Sequence, residues 1–165
     1  YTLDELLDEV GADVVRFFLL MRSISTHLEF DLALAREQSE KNPVFYLQYA
    51  HARLCSIFEK AKERGIEIKQ DPDLNILTHK TEIDLIKMLL RFDESIDTAR
   101  EKGEPHILAE YLRELAQAFH IFYHECRIIG SEENLMQARF KLARTVQITM
   151  RNGLTILGVS APEKM

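Results

Sequence analysis

Residues 42–54 read NPVFYLQYAHARL and set two tyrosines, a glutamine, a histidine and an arginine into the first turns of one expected helix. At about 100° per residue, Leu47, Ala50, Leu54, Ile57, Phe58 and Ala61 share a face, while Tyr46, Tyr49, Arg53 and Lys60 form a stripe along its edge. Rings and cations on one border can do a definite kind of chemistry. Unpaired bases stack on the rings, at about 1 to 3 kcal/mol per base, and the cations hold phosphate or stack in turn. On an arbitrary helix the same tyrosines would be boundary residues with hydrogen-bonded hydroxyls, and spacing alone does not separate the two readings.

Other chemical constellations are weaker. His120 and His124 stand four apart, a spacing that can hold zinc, but the HExxH order is absent and no third ligand is evident, so both read as boundary or surface histidines. Glu132 and Glu133 fall in the first turn of a helix, where acids favour the macrodipole, so they need no acid-base role. Cys55 and Cys126 lack CxxC spacing and an activating base, as expected of buried reduced thiols in a cytosolic protein. No phosphate-cradling glycine loop is present, and independent catalysis is not expected.

The elements that must position the stripe are helices almost throughout. Leu3, Leu6, Leu7, Val10, Val14, Phe17, Phe18 and Met21 recur at three and four residues, predicting a helix capped by Thr2, broken at Gly11 and resuming to about Arg22. Asp31 caps a short helix to about Lys41. Asn42 and Pro43 supply an N-cap and a first-turn proline for a helix running to about Arg64, before Gly65. Residues 65–75 form the clearest loop. Ile83, Ile86, Leu89, Leu90, Ile96 and Ala99 predict one helix from Thr78 to near Gly103, and Pro105 opens another reaching about Ile129. Ser131 caps a last long helix, stopped by Gly158 and Pro162. With no alternating strand pattern, repeat or low-complexity tract, the fold class is an all-α helix bundle.

At 165 residues and 46% hydrophobic content, the chain can bury one substantial core. It begins at Tyr1 and runs straight into an amphipathic pattern, as expected of a piece cut from a longer polypeptide. The best apolar run, residues 14–21, is too short for a membrane span and contains Arg16, and no secretory leader is evident. Residues 1–40 carry nine acids against three arginines, which accounts for the whole net charge of −6. The other 125 residues balance to zero, and residues 136–165 hold five cations against Glu163 alone. That distribution disfavours non-specific polyanion binding but leaves a local cationic surface available.

The NPVFYLQYAHARL run closely resembles the signature of the C-terminal anticodon-binding domain of arginyl-tRNA synthetases, of the DALR type, and LGVSAPEKM at residues 157–165 is similar to that family's C-terminus. Residues 1–22 and LEFDLALA at 28–35 resemble the segment following the catalytic domain of class I synthetases. The resemblance thus covers nearly the whole chain and implies two regions: residues 1–30, which would lie against the inner face of a tRNA, and residues 31–165, an all-α anticodon-binding bundle. No HIGH-type ATP-binding signature or nucleotide-binding βαβ pattern appears. Residues 87–90, KMLL, only superficially resemble a KMSK-type loop, and Lys87 reads as a solvated helix residue.

By that resemblance the loop Gln38, Ser39, Glu40, Lys41, Asn42 and Pro43 would contact the anticodon loop, with Tyr46, Tyr49 and Arg53 beside it and Tyr123 and Met165 reaching the same surface. An ordinary core position for Tyr123 and a frayed tail for Met165 are the alternatives. Arg139, Arg144 and Arg151 would position phosphates. The implied partners are arginine tRNA, read at its central anticodon cytosine, and a catalytic domain of the same parent chain. The parent would be an ATP-dependent arginine–tRNA ligase, using magnesium as well, cytoplasmic and monomeric. Two other readings stay open: the equivalent domain of a cysteinyl enzyme or a glycyl β subunit, and a helical protein-interaction module docking through its acidic first 40 residues.

Overall fold

The computed structural model describes residues 2–23, 25–26 and 30–165. Tyr1 and residues 28–29 of the LEFDLALA match lie outside the described residues, as do residues 27–29 beside the expected division at 30/31. Among the described residues the secondary structure is helical: α1 (Leu3–Val10), α2 (Ala12–Leu20), α3 (Leu32–Arg36), α4 (Pro43–Glu63), α5 (Lys80–Leu90), α6 (Phe92–Lys102), α7 (His106–Glu125) and α8 (Glu133–Ile156). The all-α expectation stands.

Local chemistry sets several of these ends. Thr2 and Glu5 form a reciprocal capping box at α1, and Gly11, at φ 84°, separates α1 from α2. At α4 the Asn42 side chain accepts from the amides of Val44 and Phe45, at 3.0 and 3.4 Å, with Pro43 in the first turn.

Five boundaries differ from the sequence expectation. The helix from Asp31 stops at Arg36 rather than near Lys41, because the buried Asn42 amide donates to the Ala35 carbonyl at 3.1 Å and Glu37 turns extended. The single helix expected from 78 to 103 is two, capped at His79 rather than Thr78 and broken at Arg91. There Tyr111 on α7 donates its hydroxyl to the Met88 carbonyl at 2.9 Å, and Ser95 Oγ takes the Arg91 carbonyl at 2.8 Å. α7 ends at Glu125 rather than near Ile129, since Cys126 is extended and buried. Finally, α8 is capped by Glu132, not Ser131: the Ser131 hydroxyl is spent on the Ile128 carbonyl at 2.8 Å, while the Glu132 carboxylate accepts from the amides of Asn134 and Leu135.

α4, α7 and α8 pack on one another around Leu47, Leu54, Leu112, Leu115, Phe119, Phe122, Phe140 and Leu154, all fully buried. Each such side chain contributes about 1.5 to 3 kcal/mol by leaving water. Phe17 and Phe18 of α2 join the same cluster, so α2 is fixed against α4 and α7. With its apolar face committed to this core, α4 leaves the edge bearing Tyr49 and Arg53 half-exposed.

Candidate nucleic-acid interface

The expected stripe divides in two. Tyr46 and Tyr49 both pack on His120 of α7, with ring centroids 5.2 and 6.2 Å apart, and Phe45 stacks on Tyr49 at 6.1 Å. Tyr46 turns toward this packing: burial pushes its hydroxyl pKa up, reinforced by nearby Glu40. One turn further along α4, the Arg53 guanidinium lies over two rings at once, 5.2 Å from Tyr49 and 5.1 Å from Tyr123. Such a cation set over two rings is attracted by both quadrupoles.

These three residues border a cleft of about 540 Å³. Tyr49, Arg53 and Lys60 line it from α4, Tyr123 from α7, and Glu163, Lys164 and Met165 from the chain's last residues, with Ala52 and Ser56 between. Three cations, Arg53, Lys60 and Lys164, face three carboxylates, Glu59, Glu63 and Glu163, so the cleft is balanced in charge and its distinguishing feature is its rings. The tail is built into it. Gln48 Nε2 donates to Asp13 Oδ2 at 2.9 Å and to the Ser160 carbonyl at 3.1 Å, Ser160 Oγ bonds the same Asp13 carboxylate, and His51 Nδ1 meets the Pro162 carbonyl at 2.9 Å.

The structure thus brings Tyr49, Arg53, Tyr123 and Met165 together and leaves the other candidates elsewhere. In the 38–43 loop, Gln38, Glu40 and Lys41 are exposed, Ser39 bonds Glu37 at 2.8 Å, Asn42 is buried in its capping role and Pro43 lies at the mouth of a separate apolar cleft of about 340 Å³. Glu40 is close enough to Tyr46 and His120 to act on both electrostatically, so this loop borders the aromatic group at the N-terminal end of α4.

Arg139, expected to position phosphate, is nearly buried, its Nε 2.7 Å from the fully buried Glu82 carboxylate and its Nη1 2.6 Å from the Arg127 carbonyl. Two of its guanidinium nitrogens are thereby committed within the fold. Arg144 lies 3.6 Å over the Phe58 ring and bonds Gln147 at 2.6 Å, and Arg151 is exposed; neither lines the aromatic cleft.

His120, read from the sequence as a boundary or surface histidine, takes a place in the aromatic group that its spacing did not reveal. It sits half-buried among Tyr46, Tyr49 and Phe119, its Nε2 without a hydrogen-bond partner, and burial together with the Arg53 charge lowers its pKa. His124 is exposed and bonds Glu125 at 3.0 Å, so the pair does not converge, and no group of three His, Cys, Asp or Glu among the described residues could hold a metal. Burial also pushes the Cys55 thiol up, away from nucleophilic use, and both cysteines are free. No helix among the described residues is long and apolar enough to cross a membrane.

Fold and cleft together define an all-helical domain with an aromatic, ligand-sized groove partly walled by its own C-terminal residues. The chain belongs to the DALR anticodon binding domain family, which matches residues 47–165 and so takes in Tyr49, Arg53, Tyr123 and Met165. It is 57% identical over 164 residues to an arginine–tRNA ligase of Salinibacter ruber, covering 99% of this chain and 29% of that protein. To the arginine–tRNA ligase of Carboxydothermus hydrogenoformans it is 49% identical, covering 99% and 30%. Its fold superposes on the arginyl-tRNA synthetase of Thermus thermophilus with a TM-score of 0.81 at 30% identity, covering 100% of this chain and 28% of that one. The chain spans about 30% of the length of the curated relatives it matches.

Proposed function

We propose that this chain binds the anticodon loop of arginine tRNA, as the anticodon-binding domain of an ATP-dependent arginine–tRNA ligase whose catalytic domain, using magnesium as well, lies elsewhere in the same parent chain. The parent works in the cytoplasm as a monomer. Bases opened from the loop stack on Tyr49 and Tyr123, with Arg53 set between the rings and Met165 closing one end; the central anticodon cytosine is the base this surface reads. Gripping the loop here orients the acceptor end toward the catalytic domain. The observation that carries the reading is the convergence of Tyr49, Arg53, Tyr123 and Met165, from two helices and the chain's last residue, on one cleft of about 540 Å³. Family membership and the arginine–tRNA ligase relatives support it.

The test is titration of a labelled hairpin carrying an arginine anticodon, at low salt, beside one in which only the central cytosine is replaced. Tighter binding of the cytosine hairpin is expected. Equal affinity would remove base selection from this domain, and no binding to either would overturn the reading.

A further inference from the structure

We infer that a second cleft, beyond Tyr123, is a subsite for RNA phosphates: Lys60 and Arg64 from the end of α4 and Arg127 from the α7–α8 connection grip the backbone of the strand whose bases occupy the aromatic cleft. The inference rests on the RNA-binding reading above and adds where the charge is met. The cleft holds about 490 Å³ and shares Lys60 and Tyr123 with its aromatic neighbour, so the two form one trough. From Tyr49 to Lys60 that trough follows α4 for about 16 Å, at about 1.5 Å per residue, enough for several nucleotides.

The halves differ in charge. Lys60 lies where the two meet; apart from it the aromatic half sets Arg53 and Lys164 against Glu59, Glu63 and Glu163, whereas this half sets Arg64 and Arg127 against Glu125 alone, which is engaged with His124 Nδ1 at 3.0 Å. Lys60, Arg64 and Arg127 are exposed, and among the described residues none has a carboxylate partner. A strand entering the trough therefore meets rings first and uncompensated positive charge next, the division of labour by which single-stranded nucleic acid is held.

Arg127 is also braced. Its Nε donates to the Ile129 carbonyl at 3.1 Å, and its own carbonyl accepts from Arg139 Nη1 at 2.6 Å, while Arg139 Nε is fixed by buried Glu82 at 2.7 Å. Gly130, at φ 92°, lies so close that a Cβ there would come 3.0 Å from Arg127 Nη2. Arg139 thus acts through Arg127, as a positioning residue. The competing account, that cations at the C-terminal end of α4 answer the helix dipole, covers Lys60 in the last turn and Arg64 at the C-cap but not Arg127, which belongs to another segment.

The experiment measures affinity for the arginine-anticodon hairpin and its cytosine-replaced partner across a salt series. It compares the wild-type chain, the triple variant Lys60→Gln/Arg64→Gln/Arg127→Gln, and Lys62→Gln, which removes a charge from the same helix outside the cleft. At about 0.7 per phosphate for a single strand, the triple variant should flatten the log–log salt dependence by about 2. It should weaken both hairpins by roughly the same factor, about tenfold or more, leaving the preference between them unchanged, and Lys62→Gln should leave the slope alone. An unchanged slope in a triple variant of native helical content overturns the subsite while leaving the cytosine preference of the wild type standing. A wild-type chain that binds neither hairpin overturns both. Should the triple variant not fold, Arg127→Gln alone, altered on a connection rather than a helix, must still lower the slope by about 0.7.

Discussion

His51 Nδ1 lies 2.9 Å from the carbonyl oxygen of Pro162, so a buried side chain in the middle of α4 holds the chain's last residues in place. A carbonyl only accepts, so Nδ1 carries the proton and the ring is the donor. One turn earlier Gln48 donates to Asp13 and Ser160 together, and Arg16 donates to the Gly158 carbonyl. α2, α4 and the residues after α8 therefore meet at one seam, and Met165 stands in the aromatic cleft because the seam is closed.

Cutting that seam should act on RNA through the tail. His51→Ala leaves the Pro162 carbonyl without its donor and is expected to cost about 1 to 3 kcal/mol of stability. It should also weaken hairpin binding, because Lys164 and Met165 are no longer fixed. Deleting residues 163–165 removes the same wall directly. In a double-mutant cycle the two changes should be far from additive in binding, with His51→Ala having little further effect once the tail is gone. Additive losses would mean that His51 acts on RNA by a route other than the tail.

The two tyrosines of the signature should separate. Tyr49 lines the cleft, whereas Tyr46 packs on His120 and lies outside it. Tyr49→Ala should therefore cost about 1 to 3 kcal/mol of RNA binding, one base's worth of stacking, and leave helical content largely intact. Tyr46→Ala should cost stability instead, about 2 kcal/mol, roughly half of what a fully buried aromatic loses. Urea unfolding beside hairpin titration checks both, and a Tyr49→Ala chain that is folded and binds like the wild type would take Tyr49 out of the interface.

The Asn42–Pro43 start of α4, the Thr2 cap and the break at Gly11 were legible because they are local: each depends on a side chain and its own backbone within three residues. The break at Arg91 was not, since the apolar period of 83–99 runs through it without glycine or proline, and the hydroxyl at Met88 comes from Tyr111, 23 residues away. The site followed the same rule. Tyr49 and Arg53 are one turn apart on one helix and could be paired from spacing, but the place of Tyr123 and Met165 beside them came from family resemblance rather than residue pattern. Arg139 shows how far such contacts reach. As a cation in a region of positive balance it looked available, and only the position of Glu82, 57 residues away, shows that it is taken.

That Glu82–Arg139 pair should be expensive to break from either side. Glu82 Oε2 also accepts from the His79 amide at 2.9 Å, so the same carboxylate caps α5 and ties it to α8. Glu82→Ala leaves a nearly buried guanidinium uncompensated, and the expected loss is about 3 to 5 kcal/mol. Glu82→Ala combined with Arg139→Met should recover part of it, because the second change removes the orphaned charge. Thermal unfolding of the wild type and these two variants is the measurement. A double variant no more stable than Glu82→Ala would show that the damage lies in the lost cap rather than the stranded arginine.

His120 sets an acid limit on the fold. Burial, with the Arg53 charge beside it and only Glu40 opposing, lowers its pKa below the ordinary 6.5. Above that value the imidazole is neutral in both folded and unfolded chains, and its contribution to stability is fully present. As pH falls below 6.5 the unfolded chain takes up a proton that the folded chain still refuses, so stability drops, by at most about 1.4 kcal/mol per pH unit for one group, until the folded pKa is passed. His120→Phe keeps a ring between Tyr46 and Tyr49 and removes the proton site. The difference in unfolding free energy, wild type minus His120→Phe, should therefore be flat above pH 6.5 and fall as the pH is lowered from there, the other histidines cancelling between the two chains. Parallel curves would mean that His120 protonates as readily in the aromatic group as in the unfolded chain. A falling difference would show instead that the residue wedged between the signature tyrosines is held neutral by its position.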